Sequence, residues 1–111
     1  IDEEAHMDAV TGVSGSGPAY VFHLVEAMAQ AGIAAGLPSD LAMTLARETV
    51  AGSGELLAQS DESAATLREN VTSPGGTTAA ALDILMADDG LAKLMTAAIL
   101  RATERSRELA G

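Results

Sequence analysis

The stretch from residue 17 to residue 35, GPAYVFHLVEAMAQAGIAA, is apolar on nearly every side when it is drawn as a helix. Its strongly polar residues, His23, Glu26 and Gln30, are spaced at i, i+3 and i+7 and form one narrow stripe. A helix that is apolar nearly all round must be buried nearly all round. Two intertwined copies of a small chain achieve such burial more easily than one copy does. The stretch therefore favours a helical chain that pairs with itself.

The core that one copy can build is small. Hydrophobic residues make up 48% of the 111 residues, which suits one folded domain, but Tyr20 and Phe22 are the only aromatic residues. Alanine, leucine, valine and methionine must fill the core. Since burial contributes roughly 25 cal/mol per Å² of apolar surface, small side chains stabilise a lone copy weakly. Additional burial against another copy or another domain is expected.

The positions of glycine, proline and apolar residues predict an all-α fold of about five helices. The first begins at Gly17 or Pro18 and runs to about Ala35, with Gly36 as its terminator. The other four are predicted over about 38–60, 63–71, 76–87 and 91–109. The sequence shows neither an alternating strand pattern nor an internal repeat.

The chain opens with IDEEAH rather than with methionine, and we expect it to be a piece of a longer protein. Residues 1–10 are interpreted as the end of an interdomain linker or the tail of an earlier element. Residues 11–111 are interpreted as one helical domain. The segment TGVSGSGPAY, which joins the two, is predicted to be a flexible joint leading into a helix, with ligand contact as the alternative.

Several classes of protein are disfavoured by composition. A net charge of -10 argues against binding nucleic acid or anionic membranes. The chain has no cysteine, and its histidines, His6 and His23, are too far apart to suggest a metal site. It shows no signal peptide and no apolar run near the ~20 residues of a membrane span. We expect a cytoplasmic protein without a bound metal.

The segment SPGGTT, residues 73–78, stands directly before the predicted fourth helix. The first N–H groups of a helix lack partners within it and carry the positive end of the dipole, so they hold small anions. Gly75 and Gly76 leave the backbone accessible, and Ser73, Thr77 and Thr78 supply hydroxyl groups. The pattern suits a small carboxylate with a neighbouring heteroatom. The alternative is an ordinary connection between helices in which Ser73 is the N-cap.

No pair of nucleophile and base stands out among the side chains. His23 lies on the polar stripe of an otherwise apolar helix and is better explained as a packed or interface residue than as a catalyst. Any reactive group is therefore expected to come from outside this chain.

The segments DAVTGVSGSGPAY and LRENVTSPGGTTAAALDIL together closely resemble the C-terminal domain of pyrroline-5-carboxylate reductase. AGLPSDLA and ATERSRELA are similar to that family as well, so the resemblance covers roughly residues 4 to 110. It implies reduction of 1-pyrroline-5-carboxylate to L-proline with NADPH or NADH, the last step of proline synthesis. It also implies an interleaved helical homodimer with a fold like that of the C-terminal domain of 6-phosphogluconate dehydrogenase. In the pyrroline-5-carboxylate reductase family, such dimers often assemble further, commonly into decamers.

The resemblance also implies roles for residues of the SPGGTT segment. The N–H groups around Gly75, Gly76 and Thr77 would hold the substrate carboxylate, with the Ser73 hydroxyl beside them. Thr78 matches the family threonine whose hydroxyl binds the ring nitrogen, and we expect it to be the catalytic residue.

Other residues match positions around this segment. Asn70 and Val71 match positions next to the nicotinamide cofactor, and Glu4 matches an acid near the substrate at the domain junction. Asp61 falls where the family often has another acid, here one methylene shorter.

The nucleotide-binding Rossmann domain of the family has no counterpart in these residues, so we expect the 111-residue chain alone to be inactive. One alternative is a purely structural dimerisation module without a ligand. Another is a β-hydroxyacid dehydrogenase, but such enzymes use a lysine in the helical domain. The only lysine here, Lys93, lies far along the chain from either glycine segment.

Overall fold

A computed structural model describes the backbone of residues 2–111 and the side chains of residues 3 and 6–111. The described residues form helices and turns without a strand, which confirms the all-α prediction. All five predicted helices are present, and a further helix precedes them. The helices are α1 (Asp2–Val10), α2 (Gly17–Ala34), α3 (Ser39–Gln59), α4 (Ala64–Asn70), α5 (Thr77–Leu85) and α6 (Leu91–Ala110).

The segment after α1 is a π-helical turn, Thr11–Gly15, where the sequence predicted a flexible joint. The Ser16 N–H donates to the Thr11 carbonyl at 2.8 Å, which closes the wide turn. The Thr11 and Ser14 hydroxyls donate to the carbonyls of Met7 and Val10 at 3.0 and 3.1 Å. The prediction of a flexible joint is wrong, because the local hydroxyl groups and backbone bonds give this segment a defined helical conformation.

Helix α1 and the π-helical turn pack against α6. Gly12 is buried and approaches α6 so closely that an added Cβ would lie 2.6 Å from Thr103 Oγ1 and 3.1 Å from the Ile99 carbonyl oxygen. One turn earlier, Asp8 accepts a hydrogen bond from the Ser106 hydroxyl at 2.8 Å. The close approach at Gly12 and the hydrogen bond at Asp8 therefore join α1 and the π-helical turn to α6.

Helices α2 and α3 form a hairpin within a compact unit of residues 17–62. The turn between them depends on Gly36, whose φ of +112° is a conformation that favours glycine. The hairpin is closed by small side chains, and its buried hydrophobic residues are Ala29, Ala42 and Ala46. A second unit consists of residues 1–16 and 63–111.

The chain leaves most of its large apolar side chains in solvent. Phe22 is 68% exposed and Ile84 is 75% exposed, and no large side chain among the described residues is fully buried. In α2 the exposed group comprises Val21, Phe22, Leu24, Met28 and Ile33. The burial that the composition of α2 demands is therefore not supplied by this single chain.

Candidate functional site

A tight turn precedes α5. The Gly76 N–H donates to the Ser73 carbonyl at 2.9 Å, which closes a four-residue turn with Pro74 second and Gly75 third. Gly75 has a φ of +75°. Proline at the second position and a positive φ at the third are the features of a type II turn. The Pro-Gly pair therefore sets the direction in which the chain enters α5.

Gly76 is the N-cap of α5, with φ of -87° and ψ of -174°. Its carbonyl accepts from the Ala80 N–H at 3.1 Å, and no side chain caps the helix. Ser73 lies three residues before this N-cap, so the alternative prediction that Ser73 is the N-cap is wrong. An added Cβ on Gly76 would lie 3.2 Å from the Ser73 carbonyl oxygen, so the turn itself favours glycine there.

Three N–H groups at the start of α5, those of Thr77, Thr78 and Ala79, have no acceptor among the described residues. No acidic side chain lies in this first turn. By contrast, α4 begins with Ser63, whose hydroxyl accepts from the Thr66 N–H at 3.1 Å. The start of α5 thus presents unpaired donors at the positive end of a helix dipole, which is an arrangement that binds anions.

This arrangement differs in one respect from the sequence prediction. The Gly76 N–H is occupied by the turn, whereas the Ala79 N–H is available. Ala79 was not among the predicted residues, although its place in the first turn of the helix was a usable signal. The free donors are therefore shifted towards the helix relative to the predicted set.

The two threonines differ in their surroundings. Thr78 is half-buried and Thr77 is exposed. Neither hydroxyl makes a hydrogen bond within the part of the chain that the structure describes. Ser73 and Gly75 are both exposed at the turn. An anion on the free N–H groups would therefore have unengaged hydroxyl groups beside it.

Asn70 and Val71 lie at the opposite end of the same connection, where α4 ends. Val71 is the C-cap of α4 and is 68% exposed, and Asn70 is exposed as well. The next residue, Thr72, donates its hydroxyl to the Arg68 carbonyl at 2.6 Å. The α4–α5 connection, residues 70–78, thus contains every predicted site residue except Glu4.

Three other residues singled out from the sequence lie elsewhere. The side chain of Glu4 lies outside the described residues. Asp61 is exposed and belongs to the unit of residues 17–62. His23, also exposed, is 3.2 Å from Glu26 through its Nδ1 atom.

The described residues contain no group of three or more histidine, aspartate or glutamate side chains arranged to hold a metal ion. Within the same part of the chain, no helix combines the length and apolar character needed to cross a lipid bilayer. Lys93 is the third residue of α6 and is exposed.

Comparison with known proteins gives consistent matches. The family model for pyrroline-5-carboxylate reductase dimerisation matches residues 4–109. Pyrroline-5-carboxylate reductase of Arabidopsis thaliana is 48% identical over 107 residues, which are 96% of this chain and 38% of that protein. The protein of the same name from Synechocystis is 48% identical over 103 residues, 93% of this chain and 38% of that protein.

Solved structures agree in fold. The crystal structure of Plasmodium falciparum pyrroline carboxylate reductase with NADP bound matches 97% of this chain and 41% of its own, with a TM-score of 0.89 and 35% identity. A pyrroline-5-carboxylate reductase from Coxiella burnetii gives a TM-score of 0.89 at 37% identity, over 96% of this chain and 39% of its own. The chain thus spans about two fifths of the length of the relatives it matches. Because the family model covers nearly every residue, the chain belongs to the pyrroline-5-carboxylate reductase dimerisation family.

Proposed function

We propose that this chain is the dimerising and substrate-holding part of a reductase that converts 1-pyrroline-5-carboxylate to L-proline with NADPH or NADH. The names of its relatives support the reaction, and the matched family supports self-association. The start of α5 is the structural observation that carries the proposal, because its free N–H groups and adjacent hydroxyls fit a small carboxylate beside a ring nitrogen. The β-hydroxyacid dehydrogenase alternative has no support from these relatives.

In the proposed site the carboxylate of the substrate accepts hydrogen bonds from the N–H groups of Thr77, Thr78 and Ala79. The Thr78 hydroxyl bonds the ring nitrogen and fixes the face of the imine that is presented for reduction. Gly75 and Gly76 keep side chains away from the approach to these donors. The contribution of these groups is orientation and local polarity rather than a covalent step. Ser73 adds a hydroxyl at the edge of the turn.

The nicotinamide cofactor supplies hydride when it is bound. The residues described here fit only its nicotinamide end, because Val71 offers an exposed apolar side chain and Asn70 an amide at the end of α4. No strand-and-helix nucleotide-binding unit occurs among residues 2–111. We therefore propose that the nucleotide portion is bound outside these residues. We propose as well that Glu4 completes the substrate site at the junction with the nucleotide-binding domain.

Titration of L-proline into the ¹⁵N-labelled chain tests the carboxylate site, with chemical shifts read by NMR after the mass in solution has been measured. We expect shifts concentrated at Thr77, Thr78 and Ala79. Cyclopentanecarboxylate, which lacks the ring nitrogen, should move the same amides but bind more weakly. Pyrrolidine, which lacks the carboxylate, should leave them unchanged. A folded dimer without shifts at these amides would support the alternative of a structural module that has no ligand of its own.

The isolated 111-residue chain is predicted to show no reductase activity, because no strand-and-helix nucleotide-binding unit occurs among its described residues. The measurement is NADPH oxidation in the presence of 1-pyrroline-5-carboxylate, with the Coxiella burnetii reductase as a positive control. Proline formation by the purified chain alone would contradict this prediction.

A further inference from the structure

Arg47 is the only lysine or arginine between residues 17 and 62, the compact unit that contains α2 and α3. It lies on α3 and is exposed, and no ion pair to it occurs among the described residues. The arginines of α6 differ in this respect, because Arg101 and Arg105 lie 3.0 and 3.1 Å from glutamates of the same helix. Arg47 is therefore a cation that has acidic neighbours in sequence but no ion-pair partner in the part of the chain that the structure describes.

The surroundings of Arg47 are those of a contact surface. It lines a groove between α2 and α3 together with Val21, Phe22, Val25 and Met43. Phe22 at the groove is 68% exposed, so a large apolar surface surrounds the guanidinium. Arginine beside exposed aromatic and methionine side chains is a composition enriched in protein interfaces. Covering this groove would remove Arg47 from water, and a desolvated cation needs an anionic partner.

A second copy of the chain is the occupant that the observations favour. The chain belongs to a dimerisation family, and α2 requires more burial than its own chain provides. Between one and two turns beyond Arg47, Gly52 and Gly54 have no atom from outside their own stretch of helix within 4 Å of where a Cβ would stand. Helix α3 therefore offers a stretch of backbone that another helix can approach. In a two-fold contact both copies use the same surface. If one residue of the first copy contacts a second residue of the other copy, the reverse contact forms as well.

Two acidic residues line the same groove, Glu26 and Glu48. Glu26 has a neighbour within its chain, His23, at 3.2 Å. Glu48 has no partner among the described residues and follows Arg47 directly on α3. If two α3 helices cross antiparallel about the midpoint between residues 47 and 48, each Arg47 faces the Glu48 of the other copy.

We propose that Arg47 forms an ion pair with Glu48 of a second copy, and that this reciprocal pair sets the register in which the two α2–α3 hairpins associate. The proposal rests on the self-association proposed above and adds a residue-level determinant to it. An arginine–glutamate pair within an apolar contact discriminates against shifted alignments, because a shift leaves both charges desolvated without partners.

Mixing two charge-reversal variants tests the pair. Arg47→Glu and Glu48→Arg each place like charges at the crossing in their homodimers, whereas the heterodimer contains one native and one reversed ion pair. Native mass spectrometry of the exchanged mixture measures the ratio of the squared heterodimer concentration to the product of the two homodimer concentrations. This ratio should lie roughly tenfold above its value for random pairing, given the coupling measured for close interfacial charge pairs. The matched control mixes Arg47→Glu with Glu26→Arg, which carries the same net charge as Glu48→Arg and lines the same groove. Circular dichroism of each variant verifies that it remains helical.

The outcomes separate this inference from the proposed function. Equal heterodimer enrichment in the control mixture would show net-charge attraction alone and overturn the pair with Glu48. A statistical mixture of dimers in both cases would also overturn it while leaving self-association intact. An unmodified chain that stays monomeric would overturn the ion pair and the proposed dimer together.

Discussion

At position 75 the backbone has a φ of +75°, and no atom beyond the adjoining residues lies within 4 Å of where a Cβ would stand. A substitution there meets conformational strain without a steric clash. We predict that Gly75→Ala lowers the free energy of unfolding by about 1–2 kcal/mol, the usual cost of a left-handed conformation. Gly75→Asn should lose less, because asparagine adopts that conformation more readily. Urea unfolding at one protein concentration measures both variants, and equal losses would contradict the assignment of strain to φ.

The two threonines at the start of α5 provide a matched pair of variants. Thr78→Val removes the half-buried hydroxyl that is proposed to bond the ring nitrogen, at nearly constant volume. The expected cost is about 1 kcal/mol, or roughly a fivefold weaker affinity for L-proline. Thr77→Val removes an exposed hydroxyl and keeps the N–H, so its affinity should change little. NMR titration measures both, and a larger loss for Thr77→Val would reverse the roles proposed here.

Among the helices, the packing of the π-helical turn on α6 depends on Gly12. We predict that Gly12→Ala costs about 1–3 kcal/mol, as overpacked contacts do, because its Cβ meets Thr103 Oγ1 and the Ile99 carbonyl. Gly15→Ala is the control, since its Cβ meets only the Thr11 side chain at 3.4 Å.

The second variant in a test of this packing is Thr103→Ala, which removes the 2.6 Å contact. Combined with Gly12→Ala, it should restore part of the lost stability, as measured by urea unfolding. No recovery in the double variant would show that backbone atoms set the limit, namely the Ile99 carbonyl oxygen at 3.1 Å and the Thr103 nitrogen at 3.3 Å.

How far the elements could be predicted depends on what each glycine does. Gly36 was predicted to end α2, and the structure confirms it with a φ of +112°. Gly12 belongs to a segment predicted to be flexible, yet it permits a close approach to α6. The sequence shows a glycine but does not show whether it provides a positive φ or a close approach between helices. The close approach of Gly12 depends on Thr103, which is more than ninety positions away. Helix α1 was not predicted for a related reason. It packs against α6, which lies at the other end of the chain.

The candidate site was located by its residue types but not by its hydrogen bonds. The segment of residues 73–78 was selected from the glycine pair and the hydroxyls, and two of the three unpaired N–H groups of α5, those of Thr77 and Thr78, lie within it. The engagement of the Gly76 N–H follows from the turn that Pro74 and Gly75 form, which determines the free donors. The geometry of such a turn depends on its backbone angles. Residue types limit these angles but do not determine them.

At the scale of the whole molecule, three alanines are the buried hydrophobic residues of the described chain. Stability must then come largely from association, and it should depend on protein concentration. We predict that each tenfold dilution removes about 1.4 kcal/mol from the free energy that keeps the dimer folded. Thermal unfolding followed by circular dichroism over a range of concentrations measures this dependence. A midpoint independent of concentration would show that one copy is stable alone.

The three-alanine core also has a kinetic consequence. A single chain buries little of its apolar surface through its own contacts. We therefore expect two chains to associate as part of the folding reaction. Refolding of the chain should therefore be second order, with a half-time that lengthens as the solution is diluted. During that interval the side chains of α2 remain available to other unfolded chains, so aggregation competes with productive pairing for the same encounter.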